Sequence, residues 1–101
     1  MITFRNDRWL GNKWASIDIS PVDVAYFLRV LSYLSMRYGF KMPPIIDLID
    51  GYAADFTILD SKASIHIDTW TFSIAFEAEP IRDRLIAELQ ALPTGFFEVK
   101  L

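Results

Sequence analysis

The sequence predicts an α+β fold, a two-layer sandwich in which two helices pack on one face of an antiparallel sheet. Three observations predict it. Residues 54–77 alternate in hydropathy through two tight turns, the pattern of a three-stranded meander with one apolar and one polar face. Residues 21–38 and 80–92 carry apolar positions at helical spacing between helix-start and helix-stop residues. A chain of 101 residues that is 52% hydrophobic can bury one core, which argues for a single ordered domain spanning 1–101. The predicted order is β(β)-α-βββ-α-β.

Residues 2–5 and 7–10 are short and mixed. Gly11-Asn12 forms a hairpin turn that sets Trp9 opposite Trp14. Residues 13–19 then alternate, with Ala15, Ile17 and Ile19 on one face and Trp14, Ser16 and Asp18 on the other. Ser20-Pro21-Val22-Asp23 reads as a helix start, with Ser20 as the cap and Pro21 in the first turn. The helix runs to Tyr38, where Gly39 and then Pro43-Pro44 stop it. At 100° per residue, Val24, Phe27, Leu28, Leu31, Leu34 and Tyr38 make its core side.

Residues 45–50 fit a short strand or a helical turn, closed by Asp50-Gly51. In the meander, a loop at Ser61-Lys62 places Ile58 opposite Ile65 and Phe56 opposite Ile67. The next turn, near Asp68–Trp70, continues the apolar side through Phe72, Ile74 and Phe76. Glu79-Pro80 opens the second helix. Its stripe is Ile81, Leu85, Ile86, Leu89 and Leu92, with Arg84–Glu88 as an i,i+4 ion pair. Residues 96–100 read as a last strand.

Composition removes several function classes. A net charge of −3 with scattered basic residues gives nucleic acid no cationic footprint. The chain has no cysteine, so disulfides, thiolate catalysis and Cys-based zinc sites are excluded. No apolar run reaches the ~18 residues of a membrane span. Arg5, Asp7 and Arg8 interrupt any signal-like start, so the expected location is cytoplasmic. Four glycines cannot build a phosphate-cradling loop, and no Gly-x-Ser-x-Gly elbow occurs. No cofactor is expected.

Two surfaces remain. Asp55, His66 and Asp68 share the polar side of the meander, with His66 expected opposite Thr57 and Asp68 opposite Asp55. His and carboxylate oxygens suit a metal or acid–base cluster, but no second His or longer ligand signature accompanies them, which favours a solvated polar sheet face. The outer side of helix 21–38 carries Tyr26, Arg29, Tyr33 and Met36, with Arg37 at its edge. These residue types are enriched at protein contacts. The competing reading buries this side under residues 45–50 or the last strand.

The functional expectation is a small acidic protein that acts by protein–protein interaction, such as a toxin-neutralising immunity protein or another inhibitor. The alternative is a ligand-binding or metal-assisted enzyme domain using the Asp55/His66/Asp68 face. A second alternative is a structural homo-oligomer, such as a homodimer, joined through the outer face of helix 21–38.

Overall fold

In the computed structural model, which describes residues 1–98, six strands form one antiparallel sheet and two helices lie on one of its faces. The strands are β1 (Thr3–Arg8), β2 (Ala15–Ser20), β3 (Ile46–Asp47), β4 (Tyr52–Ile58), β5 (Ser61–Ile67) and β6 (Phe72–Phe76). The helices are α1 (Val24–Tyr38) and α2 (Glu79–Gln90). Across the sheet the order is β1-β2-β6-β5-β4-β3. The expected α+β sandwich is therefore present, with the β4–β5–β6 meander as three consecutive strands.

The first hairpin keeps the expected pairing. Arg8 faces Ala15, and the Trp9 N–H donates to the Trp14 carbonyl at 3.0 Å. Asn12 Oδ1 accepts the Trp14 N–H at 3.0 Å, which folds the tip.

The β4–β5 turn corrects the expected register. Its central residues are Leu59 and Asp60, at φ 49° and 63°, and Ile58 faces Ser61. Two left-handed residues in succession match the twist of the strands they join, which favours this turn over one at Ser61-Lys62. Ile65 consequently faces Ala54, and Ile67 faces Tyr52. The shift is an even number of positions, so sidedness survives. Ile58, Ile65, Ile67, Phe72, Ile74 and Phe76 are all buried against the helices. Phe56, on the same side but nearer the edge, is half-buried and stacks on Phe40 at 5.0 Å.

Helix α1 starts later than expected. Ser20 is the last residue of β2, opposite Thr3, so it is not the cap. Asp23 caps instead, its Oδ1 accepting the Ala25 N–H at 2.8 Å. Gly39, at φ 72°, ends the helix by donating its N–H to the Ser35 carbonyl at 2.9 Å. The buried face is Tyr26, Phe27, Val30, Leu31, Leu34 and Ser35, while Val24 and Leu28 are exposed. The helix is rolled relative to the expectation because α2 and residues 96–98 hold its Tyr26–Tyr33 flank.

Helix α2 buries Leu85, Ile86 and Leu89 as expected, with Ile81 half-buried. It also buries Arg82. That guanidinium donates through Nη1 to the Asp7 and Ser16 carbonyls at 2.9 and 3.0 Å, and through Nε to Asp83 at 2.8 Å. The charge enters the core edge with Nε and Nη1 bonded and Nη2 3.9 Å from the Glu79 carboxylate, which offsets the cost of taking it from water. Arg84 makes no close ion pair with Glu88 and acts on it only at longer range. Glu88 turns to α1, where Tyr33, Tyr38 and Arg37 hold it.

Residues 45–50 supply the two-residue edge strand β3, with Ile46 opposite Ala53 and Asp47 opposite Tyr52. At the other end, residues 96–98 turn where a strand was expected. The Phe96 and Glu98 N–H groups donate to the Pro93 and Gly95 carbonyls, both at 3.0 Å. This turn drops Phe97 into the core edge between Phe4 and Tyr33. Positions 99–100 of the expected strand lie outside the described residues.

Candidate functional site

Helices cover one face of the sheet, so the other is the first place to look for function. Alternation assigns its residues. One cross-strand row runs Arg5, Asp18, Ser73, His66, Ala53 and Ile46. The next runs Asp7, Ser16, Ala75, Ser64 and Asp55. Small residues thus occupy the middle of the second row, with an acid at each end. That sequence makes a trough.

Trp9 lies across the trough. Its Nε1–H donates to Ser73 Oγ at 2.9 Å, and its ring meets His66 edge-to-face at 6.3 Å. Ser16 and Ala75 are buried although no helix reaches this face. Trp9 separates two shallow depressions. One, of about 590 Å³, is lined by Asp18, His66, Ser73 and Thr71 among others. The other, of about 480 Å³, is lined by Trp9, Trp14, Asp55, Thr57, Lys62 and Ser64.

The three polar residues singled out in the sequence share this face but do not converge. His66 faces Ala53 rather than Thr57, and Asp55 faces Ser64 rather than Asp68. Asp68 Oδ1 is committed to the β5–β6 turn. It accepts the Trp70 N–H at 2.8 Å, the Thr71 N–H at 2.7 Å and the Thr71 hydroxyl at 3.1 Å. The two backbone donors hold its carboxyl below the ordinary range. Asp18, Ser73 and His66 stand side by side in one row, yet Ser73 Oγ takes the Trp9 indole proton. Among the described residues no hydrogen bond joins Ser73 to His66, and no group of three or more His, Asp or Glu is placed to hold a metal. The row therefore lacks the nucleophile–base contact that acyl-transfer chemistry requires.

The outer side of α1 is largely occupied by the protein itself. The buried Tyr26 donates its hydroxyl to Glu98, and Arg29 Nη1 donates to the Phe97 carbonyl at 2.9 Å. Tyr33 donates to Glu88 Oε2 at 2.6 Å and packs its ring on Phe96 and Phe97. Arg37 Nε lies 3.5 Å from the same carboxylate. Met36 stands apart, 82% exposed.

Electrostatics follow these contacts. Burial and the Glu88 hydrogen bond push the Tyr33 hydroxyl up to about 12, and the same two causes raise Tyr38. Burial also pushes the Glu88 carboxyl up. The hydroxyls of Tyr33 and Tyr38, with Arg37 and Arg84, outweigh it and hold Glu88 below the carboxylate range. Much of this flank is thus a seam between α1, α2 and the C-terminal turn.

Sequence reasoning missed two participants. Ser73 as the partner of Trp9 needs the β2–β6 pairing, which joins distant segments and leaves no local mark. Phe97 as a plug needs the 93–98 turn, for which Pro93-Thr94-Gly95 was the available signal.

Among the described residues no helix is long and apolar enough to cross a membrane. Comparisons with family models, with curated proteins and with solved structures return no match to this chain.

Proposed function

We propose that this protein works by binding another protein, with the uncovered sheet face as its contact. The observation that carries the reading is the makeup of that face. It presents Trp9 and Trp14 beside the carboxylates of Asp7 and Asp55, with Lys62 at the rim, and among the described residues no helix packs over it. Half-buried tryptophans are preformed anchors, because little side-chain freedom is left to lose on binding. Carboxylates around them favour a basic partner and speed its approach. An inhibitor or a toxin-neutralising immunity protein is the concrete form: a small rigid acidic surface that seats in the basic cleft of an enzyme.

The test is capture of a partner from the native cell extract by the immobilised protein. A basic protein retained in stoichiometric amount, released by about 0.5 M salt, is the expected result. The double variant Trp14→Ala/Asp55→Lys should lose it, and Arg84→Ser on α2 should keep it. Absence of a stoichiometric partner, or capture indifferent to the double variant, would overturn the reading.

A further inference from the structure

An open sheet ends in strands whose outer backbone groups can pair with any further strand, and proteins guard such edges. One end of this sheet is closed by brevity and by proline. β3 is only two residues long. Carried outward along the β3–β4 register, Pro44 comes opposite Asp55, and a proline has no N–H for the ladder.

β1, at the other end, has neither device. It is six residues long, holds no proline and pairs with β2 without a bulge. Bonded pairs alternate along an antiparallel ladder. The Trp9 N–H donates to the Trp14 carbonyl, so Asp7–Ser16, Arg5–Asp18 and Thr3–Ser20 are the bonded pairs. Phe4, Asn6 and Arg8 therefore turn their backbone groups to the outer edge. Side chains already hold two of these groups. Gln90, the last residue of α2, donates from Nε2 to the Phe4 carbonyl at 2.9 Å. Asp7 Oδ1 accepts the Arg8 N–H at 2.8 Å.

The possible registers show what these two contacts block. A second copy that adds antiparallel across a two-fold axis pairs outward residues with outward residues. Centred on Arg5, the pairing sets Arg5 against Arg5 of the other copy. Centred on Asp7, it sets Asp7 against Asp7. Like charges directly opposite are destabilising. Centred on Asn6, it sets Arg5 of each copy against Asp7 of the other. Arg5 already bonds Asp18, so this register gains chiefly by avoiding like charges. It also pairs Phe4 of each copy with Arg8 of the other. One bond of that pair would run from the Arg8 N–H to the Phe4 carbonyl. This donor and this acceptor are the two groups that Asp7 and Gln90 occupy.

We propose that Gln90 and Asp7 guard the β1 edge, an autoinhibitory contact that keeps a second copy of this chain from extending the sheet. The guards concern the edge of the sheet rather than its open face, so this proposal and partner binding at that face can fail separately.

Sedimentation velocity over a concentration series tests it. Asp7→Ala/Gln90→Ala removes both guards at exposed positions. It should self-associate at concentrations at least about tenfold below the wild type, with an unchanged circular dichroism spectrum. Adding Asn6→Pro to that double variant should restore wild-type behaviour, because the central N–H of the new ladder is gone. Asp7→Asn loses the same charge but keeps an oxygen acceptor, so alone it should match the wild type. A double variant that associates no more readily than the wild type would overturn the proposal. Association that survives Asn6→Pro would do the same, since the edge is then not the route. So would association of Asp7→Asn as strong as that of the double variant, since lost charge is then responsible. If the double variant loses its fold, Gln90→Ala, which leaves β1 unchanged, decides alone: it too must associate more readily than the wild type.

Discussion

Gly51 sits where the β3–β4 turn passes the end of β5. A Cβ built on it would stand 1.8 Å from the Ile67 carbonyl oxygen and 2.8 Å from the Asp68 Cα. Both are backbone atoms, so neither can swing aside as a side-chain tip could. Gly51→Ala should therefore push the β3 edge away from β5 and cost about 1–3 kcal/mol, read as a lower urea midpoint at unchanged slope. An unaltered midpoint would mean that the turn relocates freely. The sequence marked Asp50-Gly51 as a turn, but it offered no hint that the glycine is needed for close approach. Arg82 illustrates the opposite limit. Residues 82, 85, 86 and 89 follow helical core spacing, so the position was legible as buried. Residue type argued against it. The carbonyls that satisfy the guanidinium belong to β1 and β2, far along the chain.

At the scale of elements, the α1–α2 seam turns on Glu88, whose carboxylate accepts from Tyr33 and Tyr38 and lies beside Arg37. The raised Tyr33 value gives this seam an alkaline limit. Between pH 10 and about 12 the unfolded tyrosine releases its proton while the folded one keeps it. The folded state then binds more protons, so stability falls as pH rises through that window and is whole below it. Glu88 gives an acid limit with the opposite sign. Its folded carboxyl lies below the ordinary value of 4.5, so its contribution is complete above that value and is lost as pH falls through the lowered one. Tyr33→Phe should cost about 1–2 kcal/mol at neutral pH. Its deficit against the wild type should shrink above pH 10, as followed by urea unfolding at stepped pH. A deficit that is constant to pH 12 would show that Tyr33 and Glu88 are not coupled. The existence of both helices and the apolar stripe of α2 were readable from periodicity. The roll of α1 was not, because Tyr26 and Tyr33 are amphipathic. Their rings can be buried only if a partner takes each hydroxyl, and Glu98 and Glu88 lie in distant segments.

At the scale of the molecule, the sheet divides the chain into a face that stabilises it and a face free for contact. The alternation that revealed the sheet also allotted residues to faces, and an error of even length in the β4–β5 turn left the allotment intact. What no alternation could reveal is that Trp9 would reach over β2 to Ser73 on β6 and His66 on β5, since that depends on strand order. The division predicts unequal costs within a single strand. In β4, Ile58 points to the helices and is buried, whereas Asp55 points away and is exposed. Ile58→Ala should cost about 2–5 kcal/mol, the removed contacts plus the cavity they leave. Asp55→Lys should change stability by less than about 0.5 kcal/mol, because its carboxylate meets water. Urea unfolding of the two variants measures both. A large loss for Asp55→Lys would mean that this carboxylate is part of the scaffold. A silent Asp55→Lys that also releases a captured partner would separate binding from folding, as expected of a face reserved for contact.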